Sequence, residues 1–68
     1  MKLSARNMIR GKIVDVVKEQ ATAHVKIDVN GTIITSVITH EAVDELGLKK
    51  GMNAAAVIKA SDVMVAID

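Results

Sequence analysis

The 68-residue chain contains no cysteine, no proline and no aromatic residue. The lack of cysteine excludes disulfide bonds and thiolate-bound metals, and two histidines, His24 and His40, are too few for a structural zinc site by themselves. Without phenylalanine, tyrosine or tryptophan, the chain lacks the stacking platforms that proteins use to hold single-stranded nucleic acid. Its formal net charge of +1 also lacks the basic excess of a nucleic-acid binder. We therefore expect no nucleic acid among its partners.

Long apolar runs are missing as well. No segment approaches the roughly 20 apolar residues of a membrane span, and the start at Met1 lacks the apolar stretch of a signal peptide. We therefore expect a cytoplasmic protein that does not contact membranes. The sequence also offers no Ser/His/Asp or Cys/His arrangement and no other positioned acid–base pair, so we expect a binding protein and not an enzyme.

The size of the chain predicts a single domain, spanning residues 1–68, with a small core. A domain of this length buries only about 60% of the surface that its unfolded chain exposes. Such scaffolds usually depend on disulfides, a metal or oligomerisation for stability. Half of the residues are apolar, mostly valine, isoleucine and alanine. Because disulfides are excluded, we expect copies of the chain to share apolar surface in a homo-oligomer.

Alternation of side chains predicts three strands in the first half of the chain. In the first strand both faces carry apolar groups, and one face is predicted to hold Ile9, Gly11, Ile13, Asp15 and Val17. Residues 21–29 alternate cleanly, and the inward set is Ala21, Ala23, Val25, Ile27 and Val29. Asn30-Gly31 predicts a two-residue type I′ turn, because both residues tolerate a positive φ. Residues 32–38 form the return strand.

The second half predicts one short helix and two more strands. Thr39 can cap the helix at its start and Gly47 can end it, and Val43 and Leu46 form its short apolar stripe. Strands follow over residues 53–59 and 63–67. The predicted fold is therefore all-β with one short helix. Three strands, a helix and two strands match an OB-type five-stranded antiparallel β-barrel, which has its helix between the third and fourth strands.

Two short polar motifs stand at opposite ends of the chain: Ser4-Ala5-Arg6-Asn7 and Lys59-Ala60-Ser61-Asp62-Val63. Each contains a cation, a hydroxyl and an alanine that leaves its backbone N–H accessible. Neither contains a nucleophile–base pair or a metal-ligand cluster. Charge-assisted hydrogen bonds are roughly twice as strong as neutral ones, so these donors predict a receptor for an oxyanion. Taken singly, such residues are usually solvated charges or helix caps.

These motifs resemble, over essentially the whole chain, those of the molbindins, small Mop/TOBE proteins that bind molybdate and tungstate. The resemblance implies a Mop/TOBE-like barrel that assembles as a homohexamer, a trimer of dimers, for storage and homeostasis of the metal. The metal is then held as its oxyanion, without direct coordination by side chains. The positions that contribute by resemblance are Ser4, Arg6, Thr39, Lys59 and Ala60; the residue chemistry adds Ala5 and Ser61.

We expect the site to lie at a subunit interface, with residues 4–7 from one copy, and Thr39 and residues 59–61 from another. Ala42 stands where some relatives have serine, so one hydroxyl is missing, although its backbone N–H remains a donor. Contributions from His40 and from the turn Lys18-Glu19-Gln20 are left open, since Glu19 would repel an anion. The alternatives are an OB-type nucleic-acid-binding module and an oligomeric structural protein with a decayed anion site.

Overall fold

A computed structural model describes Ser4 and residues 6–68 of the chain. Its elements are the strands β1, Asn7–Lys18, β2, Thr22–Val29, β3, Thr32–Thr39, and β4, Asn53–Ile58, the helix α1, His40–Leu46, and a 3-10 turn, Ala60–Asp62. The four strands form one antiparallel sheet in the order β3-β2-β1-β4. Among the described residues, no helix is long and apolar enough to cross a membrane.

The hairpin between β2 and β3 turns at the predicted residues. Asn30 and Gly31 have φ angles of 50° and 91°, as a type I′ turn requires. The Gly31 N–H donates to the Asp28 carboxylate over 2.8 Å, which ties the turn to the end of β2. This prediction is confirmed.

Helix α1 begins and ends at the predicted caps. The Thr39 hydroxyl oxygen accepts the Ala42 N–H over 3.0 Å, and Gly47 adopts the left-handed conformation with φ of 63°. Val43 is fully buried, whereas Leu46, predicted to share its apolar stripe, is 66% exposed. The helix therefore contacts the core through a single side chain.

The core consists of small and β-branched side chains on the inward faces of the strands. Its buried members are Ile13, Ala23, Val25, Ile27, Val43 and Ala56. The inward face predicted for β2 is confirmed at Ala23, Val25 and Ile27, while Ala21 lies outside β2 and is exposed.

A β-bulge at Val14 shifts the alternation of β1. The strand pairs Ile13 with Ile27 but then Asp15 with Lys26, so Val14 is the extra residue. Beyond the bulge, Val16 packs against the core and Val17 is 48% exposed. The prediction that Val17 shares a face with Ile13 is therefore wrong, because one inserted residue exchanges the two faces of a strand.

The predicted fifth strand and the closed barrel are not observed. Residues 63–68 carry no secondary structure and are exposed, and Met64 and Ile67 are each 93% accessible. A strand needs a neighbouring strand for its backbone hydrogen bonds, and the tail has none within the described part of this chain. The structure therefore shows all-β architecture with one short helix, but with an open four-stranded sheet in place of a five-stranded barrel.

Candidate anion-binding site

The pairing of β1 with β4 brings the two polar motifs together at one end of the sheet. Asn7, the first residue of β1, pairs with Ile58, the last residue of β4. Arg6 immediately precedes this pair and Lys59 immediately follows it, and both are exposed. Motifs that are more than 50 positions apart in the sequence therefore lie together at one end of the sheet, on the same side of this rung, within one chain.

The Asn7 side chain joins the two strands at this rung. Its amide Nδ2 donates to the Ile58 carbonyl over 3.2 Å, in a partly buried position. This bond holds the start of β1 against the end of β4, from which Arg6 and Lys59 extend. The sequence placed Asn7 in the first polar motif but did not predict this bond; the available signal was an asparagine, a poor strand former, at a strand start.

The second motif folds into the short turn Ala60–Asp62 after Lys59. The Asp62 N–H donates to the Lys59 carbonyl over 2.8 Å, and the Val63 N–H donates to the Ala60 carbonyl over 3.2 Å. The first N–H groups of such a turn have no partner inside it. Those of Ala60 and Ser61 likewise have no hydrogen-bond acceptor within Ser4 and residues 6–68. As far as this part of the chain is concerned, these two N–H groups are available to a ligand beside Lys59.

Ser4 of the first motif is also exposed. Ala5, the other predicted site residue of that motif, lies outside the described residues. Within the described part of the chain, the ion pairs involve Lys18, His24 and His40, so neither Arg6 nor Lys59 is paired with a carboxylate. Both cations can therefore direct their charge toward a bound anion.

Thr39 lies at the other end of the sheet. It pairs with Thr22, next to the rung where Lys18, the last residue of β1, pairs with Ala23. At about 3.3 Å per residue, the length of β1 separates this end from Asn7 by roughly 35 Å along the strand. The longest dimension of the chain is 36 Å. The structure thus differs from the expected grouping, because Arg6 and Lys59 of one copy adjoin the same strand pair, whereas Thr39 lies at the other end of the strands.

The surroundings of Thr39 are acidic. A cleft of about 560 Å³ here is lined by Gln20, Ala21, Thr39, His40, Glu41, Asp44 and Glu45. The Ala42 N–H, expected to remain available to a ligand, already donates to the Thr39 hydroxyl oxygen. Thr39 can still donate its hydroxyl hydrogen, but three carboxylates line the same cleft. Asp44 is paired with Lys18 and His40, whereas the carboxylates of Glu41 and Glu45 would repel an anion held by this end alone.

His40 and the turn between β1 and β2 are bound to each other. The His40 Nδ1 lies 2.6 Å from the Glu19 carbonyl oxygen and therefore donates to it, while its Nε2 lies 3.3 Å from the Asp44 carboxylate. Lys18 donates to the other Asp44 oxygen over 2.7 Å. These contacts fasten helix α1 to the turn, so the described structure gives Lys18 and His40 a stabilising role at this end of the sheet.

Comparisons with known proteins cover nearly the whole chain. The TOBE domain family matches residues 3–65. The chain is 46% identical over 66 residues to molybdenum-pterin-binding protein 1 of Clostridium pasteurianum, an alignment that spans 96% of this chain and 97% of that protein. Among solved structures, a molybdate binding protein from Sporomusa ovata matches with a TM-score of 0.94 and 31% identity, over 98% of this chain and 100% of that one.

A third similar protein was solved with molybdate bound. It is ModG, described as a cytoplasmic molybdate-binding protein, with a TM-score of 0.88 and 48% identity. The match spans 94% of this chain and 46% of ModG, so the present chain corresponds to about half of that protein. The matched region of the TOBE family contains both polar motifs.

Proposed function

Because this chain belongs to the TOBE domain family, we propose that it binds molybdate or tungstate as an intact oxyanion. The observation that carries the proposal is the placement of Arg6 and Lys59 next to each other along the chain ends, both just beyond the Asn7–Ile58 pair at the same end of the sheet. The similarity to molybdenum-pterin-binding and molybdate-binding proteins supports the same ligand class.

The ligand is held by donors alone. Molybdate and tungstate are tetrahedral dianions, so the charges of Arg6 and Lys59 supply much of the attraction through charge-assisted hydrogen bonds. The N–H groups of Ala60 and Ser61, which have no acceptor within Ser4 and residues 6–68, and the hydroxyl of Ser61 add neutral donors on the Lys59 side. Ser4 and Ala5 provide donors on the Arg6 side.

The complete site forms between copies of the chain. In one copy Thr39 lies at the opposite end of the strands from the Asn7–Ile58 pair, so a neighbouring copy supplies the Thr39 hydroxyl. At that interface the cations of one copy also offset the carboxylates around Thr39 of the next. The assembly proposed is the homohexamer, a trimer of dimers.

The exposed tail supports such an assembly. Val65 is 89% exposed and Met64 and Ile67 are each 93% exposed, although all three are apolar. Among the described residues, β3 and β4 form the two edges of the sheet and have no strand beyond them, and proteins normally cover such edges. Between them, a groove of about 340 Å³ is lined by residues of β2, β3 and β4, including Ile27 and Ile34. The tail of a second copy fits this groove as an added strand.

The cellular role proposed is storage and homeostasis of the oxyanion in the cytoplasm. The chain contributes binding without catalysis, since its cations and N–H groups act only as donors. Ligand binding between copies then stabilises the assembly by mass action, because an oxyanion held by two copies favours the assembled form.

Calorimetry with molybdate and with tungstate tests the proposal. The parent protein should release or absorb heat with both metal oxyanions, and the double substitution Arg6→Ala with Lys59→Ala should remove the signal. The matched control is Arg10→Ala with Lys12→Ala, which removes the same charge from the outer face of β1 and should retain binding. No heat with either metal oxyanion in the parent, or equal losses in both double variants, would overturn the proposal.

A further inference from the structure

We infer that Asn7 is a positioning residue for the oxyanion site: its side chain sets the direction in which Lys59 leaves the sheet. This inference rests on the proposed function, and it adds a residue that does not itself contact the anion. Asn7 acts through the Ile58 carbonyl, and hence through the peptide group that Ile58 shares with Lys59.

The hydrogen bond from Asn7 is unusual in its placement. Its Nδ2 donates to the Ile58 carbonyl over 3.2 Å and is partly buried. For Ser4 and residues 6–68, it is the sole side-chain hydrogen bond that joins β1 to β4. Because asparagine is depleted in strands, strand propensity does not explain the residue at this position. The side-chain bond does.

The bond controls the peptide group of Lys59. The Ile58 carbonyl and the Lys59 N–H belong to one planar trans unit, in which they point in opposite directions. With the carbonyl held toward Asn7, the Lys59 N–H points away from β1. The pairing of β1 with β4 also restrains this plane. Without the side-chain bond, that pairing alone holds it at the end of the ladder, and we expect the direction of the Lys59 N–H to change.

Small rotations at this point carry through the rest of the second motif. After Lys59 the chain forms the turn Ala60–Asp62, which is closed by its own backbone bonds to Lys59 and Ala60. No strand follows through residue 68. Within Ser4 and residues 6–68, the Asn7–Ile58 pair is the last strand contact before the turn. A change in the Ile58 peptide plane should therefore shift the turn, and with it Lys59, Ala60 and Ser61 relative to Arg6.

Molybdate titrations of the parent and of Asn7→Ala measure the effect. Because Asn7→Ala removes one neutral hydrogen bond, it should raise the dissociation constant for molybdate about fivefold. The matched control is Asn53→Ala, at the opposite end of the same strand pair, where Asn53 pairs with Lys12. Asn53 makes no side-chain hydrogen bond within the described residues, so its substitution should leave the dissociation constant unchanged.

A double-mutant cycle separates positioning from general stabilisation. Asn7→Ala is repeated in a Lys59→Gln background, where the residue through which Asn7 acts has lost its charge. Most of the fivefold effect should then vanish, since coupled residues are not additive. An equal loss in both backgrounds would indicate a general structural role and overturn the inference.

Amide NMR shifts of the ligand-free protein give a readout independent of affinity. The amide chemical shifts of Lys59 and Ala60 should differ from those of the parent in Asn7→Ala and should be unchanged in Asn53→Ala. If the Lys59 and Ala60 amide signals do not move in Asn7→Ala, the inference is overturned. This test also decides when Lys59→Gln binds molybdate too weakly for the double-mutant cycle to be measured. If Asn7→Ala does not fold, Asn7→Asp keeps the side-chain volume without the donor, and the same signals decide.

The parent protein distinguishes the two levels of failure. A parent that gives no signal with molybdate overturns the proposed function. A parent that binds molybdate with the same dissociation constant as Asn7→Ala overturns only the role of Asn7.

Discussion

Lys18 Nζ lies 2.7 Å from Asp44 Oδ1, and this ion pair joins the end of β1 to helix α1. The hydrogen bond from Lys18 lowers the pKa of Asp44 below its ordinary value of 3.8; desolvation opposes the shift, and the charges of Lys18 and His40 reinforce it. The ionised carboxylate therefore stabilises the folded state above the pKa that Asp44 has in the unfolded chain. That contribution is lost as the pH falls through the lowered pKa of the folded state.

Lys18→Gln should raise the pKa of Asp44 toward its ordinary value, because the principal donor to the carboxylate is removed. The measurement is a side-chain carboxylate NMR titration. The change in overall stability should be small, since both side chains are about half exposed and such pairs contribute little in water. Lys26→Gln on β2, which makes no ion pair within the described residues, serves as the control. An unchanged pKa of Asp44 in Lys18→Gln would contradict the assignment.

Thr39→Ala should destabilise the protein by about 1 kcal/mol, because the Ala42 N–H loses the hydroxyl oxygen that caps it. Thr39→Ser retains a capping hydroxyl and should restore most of the loss. Urea unfolding of the two variants and the parent measures the difference. Equal stability of Thr39→Ala and Thr39→Ser would show that the cap does not contribute.

Gly11→Ala should destabilise the fold by about 1–3 kcal/mol, as expected for overpacking. A methyl group at Gly11 would clash with the Asp28 carbonyl oxygen and lie 2.9 Å from Cγ2 of both Ile27 and Val29. Denaturant unfolding measures the loss. Lys12→Ala, at the next and exposed position of β1, should remain close to the parent, and a tolerated Gly11→Ala would contradict this close approach of β1 and β2.

Val65→Asp should weaken assembly, because the exposed tail is proposed to add to the sheet of a second copy. Native mass measurement at a fixed protein concentration should show a shift from hexamers to smaller species. Ala66→Ser lies next to it in the tail but adds no charge, and it should leave the assembly unchanged. Hexamers of undiminished abundance in Val65→Asp would exclude the tail from the interface.

Much of the fold could be predicted from local sequence. The turn at Asn30-Gly31 follows from residues that accept positive φ, and the helix ends follow from Thr39 and Gly47. The inward face of β2 follows from strict alternation, confirmed by the burial of Val25. Each of these features depends on the residue itself and on close neighbours in the chain.

The bulge and the missing fifth strand could not be predicted in this way. Val14 has no turn-forming property, so the sequence of β1 does not predict the bulge that places Val17 on the opposite face from Ile13. Residues 63–67 have the composition of a strand, yet a strand forms only where another strand offers its backbone groups. Both outcomes depend on the register and availability of distant partners.

For the candidate site too, some features follow from single residues and others depend on contacts between distant parts of the chain. The residue types alone determined that this chain carries two sets of hydrogen-bond donors, since cations, hydroxyls and accessible N–H groups are properties of single residues. Only the tertiary structure decided that Arg6 and Lys59 adjoin the same strand pair and that Thr39 lies at the other end of the strands. The pairing of Asn7 with Ile58 joins positions 51 residues apart, and local preference cannot specify such contacts because they depend on which strands share a sheet edge.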